Sequence, residues 1–384
     1  MTIHYEGALT KIQADQILSN FLGKAKVTEK IFSFEYIDLM QKIRALNSSI
    51  FSKKSNFSKH ESKMTMPINA QNTKPVRIGF IGAGGICRQR HLPGLNALDN
   101  IELVAVCNRS QASGQKIADE FGFSEVMTDW KQLLDRDDID AVFIGSYPNT
   151  HAEISCKALD SGKHVFCQAR MAATLPDAER MLQSAKDHPE LVNMLCPPPH
   201  RMPWETYLLE SLASEKYGNL LHVRVVCSNG SGYGPLIFRD LVEFSGQQIM
   251  FVGIWAETIN TFLGEYQQLS ADFSTPIKTK DREDGNVVEM EIPQVVTISG
   301  ILNSGISISE YHSGIAKHEN LNQIEWITDR GTLRLNAMTS LEWSESGKDF
   351  EPVQVPKNQT RDWMVEADFI QAVRLALELS LIHI

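Results

Sequence analysis

The run Gly82-Ala83-Gly84-Gly85-Ile86-Cys87 directly follows six β-prone residues, Val76–Ile81. In such a turn Gly82 lets the chain reverse sharply, and Gly84 lets the backbone approach a pyrophosphate at the N-terminus of the next helix, with Gly85 and Ile86 beside it. Cys87 stands where the full fingerprint has a third glycine, so the motif is partial and draws its weight from its place between a strand and a helix. The next β-prone run ends in Cys107-Asn108-Arg109-Ser110. An acidic residue there would hold the 2′-hydroxyl of NAD. Arg109 can instead pair with a 2′-phosphate and stack on adenine, and Asn108 and Ser110 can add hydrogen bonds. NADP(H) is therefore favoured, with NAD(H) the alternative.

The elements that must position these residues alternate between strand and helix. Strand-like runs occur at Val76–Ile81, Ile101–Cys107, Ala141–Ile144, His164–Cys167 and Leu191–Leu195. Helical spacing falls at Leu92–Leu98, Gln111–Phe121, Trp130–Leu134, His151–Ser161 and Leu175–Lys186. This succession predicts a parallel sheet with right-handed crossovers, a Rossmann domain over 74–195. Pro197–Pro199 breaks the pattern, and Trp204–Ala213 resumes as helix. Longer strand-like runs follow at Leu221–Cys227, Val287–Ser299, Gly305–Tyr311, Ile324–Thr328 and Thr332–Leu335, with a closing helix at Trp363–Leu379. They predict an α+β domain over 196–384, with an open and mostly antiparallel sheet.

Four stretches resemble the glucose–fructose oxidoreductase / inositol dehydrogenase (Gfo/Idh/MocA) family: Ile78–Gly84, Asp140–His151, Gly162–Cys167 and the surroundings of Arg201. The resemblance covers Lys74 to the C-terminus. It implies a two-domain oxidoreductase that moves hydride between NAD(P) and a sugar, inositol or related alcohol or carbonyl compound. It also implies homo-oligomers, dimeric or tetrameric, assembled through the second domain. By the same resemblance Pro148, Asn149 and His151 belong to the loop along which the cofactor reaches its nicotinamide, and Gln168 stands where the family's glutamate contacts the cofactor. Asn149 can also cap a helix that starts near His151.

The sequence departs from the family where the family handles protons. Gln168-Ala169-Arg170 replaces Glu-Lys-Pro, and Ala169 has no group that can titrate. Phe251 and Trp255 stand where the family's acid and histidine are expected around Gly253. A rebuilt site is the favoured reading. In it Glu257 and His312 are the candidate catalytic residues, with Asp240 and Glu243 as further acids, and Arg170, Trp255 and Arg201 are candidate substrate contacts. Arg170 suits a carboxylate or phosphate held in bidentate fashion. The competing reading is a nucleotide-binding or sensor protein of the same fold that has lost its chemistry.

Composition narrows the classes. The chain has 384 residues, 42% of them hydrophobic and 22% charged, enough material for two cores. A net charge of −10 and a pI of about 5.6 argue against nucleic acid as a partner. Apolar runs such as Ala141–Gly145 are too short for a membrane span, and Met1–Thr10 lacks the apolar stretch of a signal peptide. A cytoplasmic protein with a small-molecule substrate is expected. The six cysteines form no CxxC pair, so reduced core thiols and no metal are expected. Residues 1–73 read as an extension, partly helical or disordered, with ten Lys and Arg against six Asp and Glu. Met64 or Met66 is an alternative start, and the C-terminus, ending at Leu381-Ile-His-Ile384, reads as truncated.

Overall fold

The computed structural model describes residues 74–382 except 248, 250 and 251. The expected N-terminal extension and Phe251 lie outside the described residues. Contacts divide the chain into two compact units, residues 74–197 with 364–382 and residues 198–363.

The first unit opens with β1 (Val76–Ile81), a wide turn at Cys87–His91 and the short helix α1 (Leu92–Asn96). Next come β2 (Ile101–Cys107), α2 (Gln111–Phe121), β3 (Glu125–Met127) and α3 (Trp130–Leu134). The segment ends with β4 (Ala141–Ile144), α4 (Pro148–Asp160), β5 (His164–Cys167), α5 (Leu175–Asp187) and β6 (Asn193–Leu195). The local chemistry sets the helix ends. Ser110, Asp129 and Thr174 accept backbone hydrogen bonds at the N-termini of α2, α3 and α5, and Gly122 ends α2 at φ +84°.

The six strands pair in the order β3-β2-β1-β4-β5-β6, all parallel. The strand order reverses direction between β1 and β4, which makes the carboxyl ends of those strands the place where a nucleotide binds in such sheets. Phe80 lies opposite Phe143, and Phe143 opposite Phe166, so three rings form one rung across β1, β4 and β5. Their centroids lie 5.7 and 4.7 Å apart, both pairs stacked.

In the second unit α6 (Glu205–Ala213) precedes β7 (Leu220–Ser228), the short α7 (Val242–Ser245) and α8 (Val252–Leu263). The strands β8 (Tyr266–Ser274), β9 (Thr279–Asp281), β10 (Val287–Glu289), β11 (Val295–Leu302) and β12 (Ser307–Ser313) follow. Then come β13 (Leu321–Thr328), β14 (Gly331–Asn336), β15 (Ser340–Glu345) and β16 (Glu351–Pro352). Eight strands form one sheet, β16-β15-β14-β13-β7-β12-β11-β8, in which only β7 and β12 pair in parallel, and β9 and β10 make a separate hairpin. The single strand expected over Val287–Ser299 is thus two, β10 and β11, interrupted at 290–294 where Pro293 removes a donor. Alternating Val223, Val225 and Cys227 of β7 pack with Ile324 and Trp326 of β13 and with Tyr207, Leu208, Trp255 and Ile259 of α6 and α8.

The last helix, α9 (Val365–Ile382), groups with the first unit, although the sequence reading assigned all of 196–384 to the second. The reason is packing. Phe369 is fully buried and sets its ring edge-on against Phe143 and Phe166, at 5.2 and 5.6 Å. Burying such a ring contributes about 2–3 kcal/mol.

His164 gives the first unit a dependence on pH. Its Nδ1 accepts a hydrogen bond from the Val192 amide at 2.9 Å, and burial lowers its pKa from 6.5 to about 4. The folded protein holds the ring neutral while the unfolded chain protonates near pH 6.5, so the stabilisation is complete above that value and lost as pH falls towards 4. Urea unfolding is expected to lose on the order of 1–3 kcal/mol between pH 7 and pH 4.5 through this ring. His164→Gln, which keeps an acceptor without the titration, should flatten that slope; an unchanged slope would show that His164 does not carry it.

Candidate functional site

The turn after β1 is shaped by close approach. Gly82 has φ +78°, and a Cβ there would lie 2.5 Å from the Ser146 amide nitrogen. Gly145, one residue beyond β4, is equally confined: its Cβ would meet Cys87 Sγ at 2.2 Å and the Gly82 carbonyl at 2.8 Å. The turns after β1 and β4 are therefore pressed together and hold each other in place. Gly84 and Gly85 differ. A Cβ on Gly84 would come no closer than 4.0 Å to the protein, and one on Gly85 would meet nothing within 4 Å. The protein's own packing does not require glycine at 84 or 85. A molecule approaching the backbone from outside would.

The turn is tied to the end of β2. The Ala83 amide donates to Asn108 Oδ1 at 2.9 Å, and the Gly82 amide to the Cys107 carbonyl at 2.9 Å. Ser110 caps α2 by accepting from the Ser113 amide at 3.3 Å. The exposed Arg109 places its guanidinium 5.7 Å from the centre of the Tyr147 ring. Gly82, Asn108, Arg109 and Tyr147 are thus brought together around the carboxyl ends of β1, β2 and β4. Burial pushes the Cys87 thiol up to about 12 and Cys107 to about 11, so neither is a nucleophile near neutral pH.

After β4, Pro148 starts α4, three residues before the start read from the sequence. Asn149 therefore lies exposed inside the first turn, and Tyr147 holds the capping position without a side-chain capping bond to the helix. His151 is 1% exposed, with Nδ1 at 2.8 Å from the Arg170 carbonyl and Nε2 at 3.0 Å from the Ser146 carbonyl. Burial lowers its pKa, outweighing the pull of those carbonyls. The ring joins the loops after β4 and β5 and does not face outward. The loop after β5 carries Gln168, Ala169 and Arg170, with Ala169 exposed.

One contact at this end of the sheet had no sequence signal. His91, buried in the turn before α1, places Nε2 at 3.1 Å from Gln168 Oε1, while its Nδ1 bonds Glu366 of α9. A lone histidine on a helix and a glutamate 275 residues away carry no mutual pattern.

The candidates of the second unit separate into two groups. Arg201 is 5% exposed; its Nε donates to Glu205 Oε2 at 2.8 Å and its Nη1 lies 3.8 Å from Glu257 Oε1. Arg201 and Glu257 are thus neighbours, and the Glu257 side chain is partly exposed. Trp255 is a core residue: it is fully buried and its indole donates to Asn322 Oδ1 at 2.9 Å. A wholly buried indole cannot line an open surface. His312 is likewise enclosed, its Nε2 donating to Glu310 Oε2 at 2.9 Å, while Glu310 also accepts from the Tyr266 hydroxyl. Asp240 pairs with Lys280 at 3.0 Å, and Glu243 is exposed. Among the described residues no cluster of three or more His, Cys, Asp or Glu could hold a metal ion, and no helix is long and apolar enough to cross a membrane. All six cysteines are free.

Comparison with known proteins agrees with this geometry. A 3-reductase of dTDP-3,4-didehydro-2,6-dideoxy-alpha-D-glucose from Actinomadura kijaniata is 34% identical over 119 residues, 31% of this chain and 36% of the relative. Myo-inositol 2-dehydrogenase of Thermotoga maritima is 30% identical over 111 residues, 29% of this chain and 33% of the relative. The aligned part spans about a third of the length of these relatives. Similarity of fold extends further. Levoglucosan dehydrogenase in complex with NADH and L-sorbose superposes with a TM-score of 0.70 at 19% identity, covering 78% of this chain and 90% of the other. A 3-ketoreductase from Actinomadura kijaniata in complex with NADP and TDP-benzene gives 0.64 at 21% identity, covering 79% and 91%. Residues 76–195 match the model of the oxidoreductase family with an NAD-binding Rossmann fold (GFO_IDH_MocA).

Proposed function

We propose that this protein is an NAD(P)-dependent oxidoreductase acting on the alcohol or carbonyl group of a sugar, an inositol or a related small molecule, with NADP(H) preferred. The observation that carries the reading is the open space over Gly84 and Gly85 beside a turn held rigid by Gly82, Gly145 and Asn108. Backbone N–H groups there can meet a pyrophosphate at the start of the following helical turns. The relatives, named as sugar and inositol oxidoreductases, support the substrate class.

The bound dinucleotide supplies the hydride donor or acceptor. The chain's part is to hold and orient. Asn108 fixes the turn through the Ala83 amide, and Pro148 and Asn149 shape the loop after β4. His151 locks that loop to the one after β5. Ser110 caps α2 beside Arg109, whose guanidinium suits a 2′-phosphate. Gln168 offers a side-chain amide to the nicotinamide end of the cofactor, and Arg170 beside it is the candidate anchor for an anionic substrate group. In the second unit Arg201 and Glu257 are the remaining polar candidates, and Glu257 is the favoured acid or base because His312 is enclosed. A homo-oligomer is part of the same reading.

A second reading, a nucleotide-binding protein without turnover, is favoured by two observations: Ala169 carries nothing that titrates, and His312 is fully buried. The absorbance of NADPH at steady state against a panel of keto-sugars and inosose-type ketones separates the two. Turnover of at least one substrate, reduced by about tenfold or more in Glu257→Gln, is expected. No turnover with any substrate, despite cofactor binding, would favour the second reading.

Cofactor choice is tested at Arg109. Arg109→Ala is expected to weaken NADPH about 10–100-fold and NADH by less than about threefold, since only the former has a phosphate to lose. Fluorescence titration reads both. An equal loss for the two cofactors, or tighter NADH binding by the unmodified protein, contradicts the NADP(H) preference.

A further inference from the structure

Glu366 is 2% exposed and His91 1%, an acid and a base enclosed in the first unit. The carboxylate stands in the first turn of the 18-residue helix α9, where the helix dipole favours negative charge. Room for it is made at Gly94 of α1, where a Cβ would lie 2.8 Å from Glu366 Oε2. His91 Nδ1 bonds Glu366 Oε1, and His91 Nε2 lies 3.1 Å from Gln168 Oε1. The imidazole rests against the Phe166 ring, 5.1 Å between centroids, and 6.5 Å from that of Phe143. In such apolar surroundings hydrogen bonds are strengthened and an unmade one is costly.

This chain of contacts runs from the C-terminal helix to the carboxyl end of β5, and each member constrains the next. The carboxylate holds a hydrogen on Nδ1 and fixes the plane of the ring. The ring then engages the side-chain amide of Gln168 and so fixes which of its polar atoms is left for whatever binds at the strand end. We infer that Glu366 and His91 are positioning residues which, through Gln168, set the affinity of the site for the nicotinamide half of the dinucleotide. The inference rests on the cofactor reading above and deepens it: the helix at the far end of the chain tunes one half of the ligand and leaves the adenosine half alone.

The test compares NADPH with 2′,5′-ADP, which carries the adenosine half and no nicotinamide ribose, by calorimetric titration of the full chain. Glu366→Gln removes the carboxylate's charge at nearly constant shape. Gly94→Ala keeps the carboxylate and displaces it, which serves if Glu366→Gln does not fold. Each is expected to weaken NADPH about tenfold while 2′,5′-ADP changes by less than about twofold. Gln168→Ala should reproduce that pattern, and the double variant Glu366→Gln/Gln168→Ala should bind no worse than Gln168→Ala alone. Equal weakening of both ligands, unchanged NADPH affinity, or additive losses in the double variant would each overturn the inference. Failure of the unmodified protein to bind either ligand would instead overturn the cofactor reading itself.

Discussion

Two backbone turns, after β1 and after β4, pass so close together that neither Gly82 nor Gly145 has space for a Cβ atom. Much of the first unit follows from that approach. It occurs where the strand order reverses, and strands β1 and β4 are held in register there by the Phe80, Phe143 and Phe166 rung beneath. The turn after β1 can be rigid because Asn108 anchors Ala83 from one side and Ser146 limits Gly82 from the other. The amides of Gly82, Ala83 and Gly84 are taken up in holding the turn, and a preformed turn spends no binding energy on ordering itself when a ligand meets the start of the helical turns that follow. Gly84 and Gly85, next to the confined glycine but not themselves confined, mark the outer side of the same device.

At the same end of the sheet, the loop after β5 depends on residues distant in sequence. Helix α9 returns to the first unit and closes it with Phe369 against two rings of the aromatic rung. Its first turn delivers Glu366 to His91, and His91 reaches Gln168. The Gln168 amide at the end of β5 is thus braced from behind. Beside it Ala169 is exposed and carries no group that titrates.

The parallel sheet was legible because apolar β-prone runs of four to seven residues alternate with capped helices, and the caps at Ser110 and Thr174 are local signals. The glycine turn was legible for the same reason. What escaped was long-range or enclosed. Nothing local in α9 states which unit it joins, since an amphipathic helix packs wherever a complementary surface waits. Trp255 and His312 look chemical in a linear reading, yet burial and the partners Asn322 and Glu310 make them parts of the second unit's interior. Asn149 resembles a helix cap until Pro148 is seen to begin the helix. His91 had no motif at all, and only the fold brings Glu366 to it.

The proposed place for a dinucleotide phosphate is the start of the helical turns that follow β1 and its glycine turn. Hydrogen exchange of the full chain, followed residue by residue with and without NADPH, addresses this directly. Binding should slow exchange at Gly84–Cys87 and around Asn108–Ser110, with smaller changes through β7 to β16. Protection that spares the glycine turn, or exchange indifferent to NADPH at saturating concentration, would contradict the account.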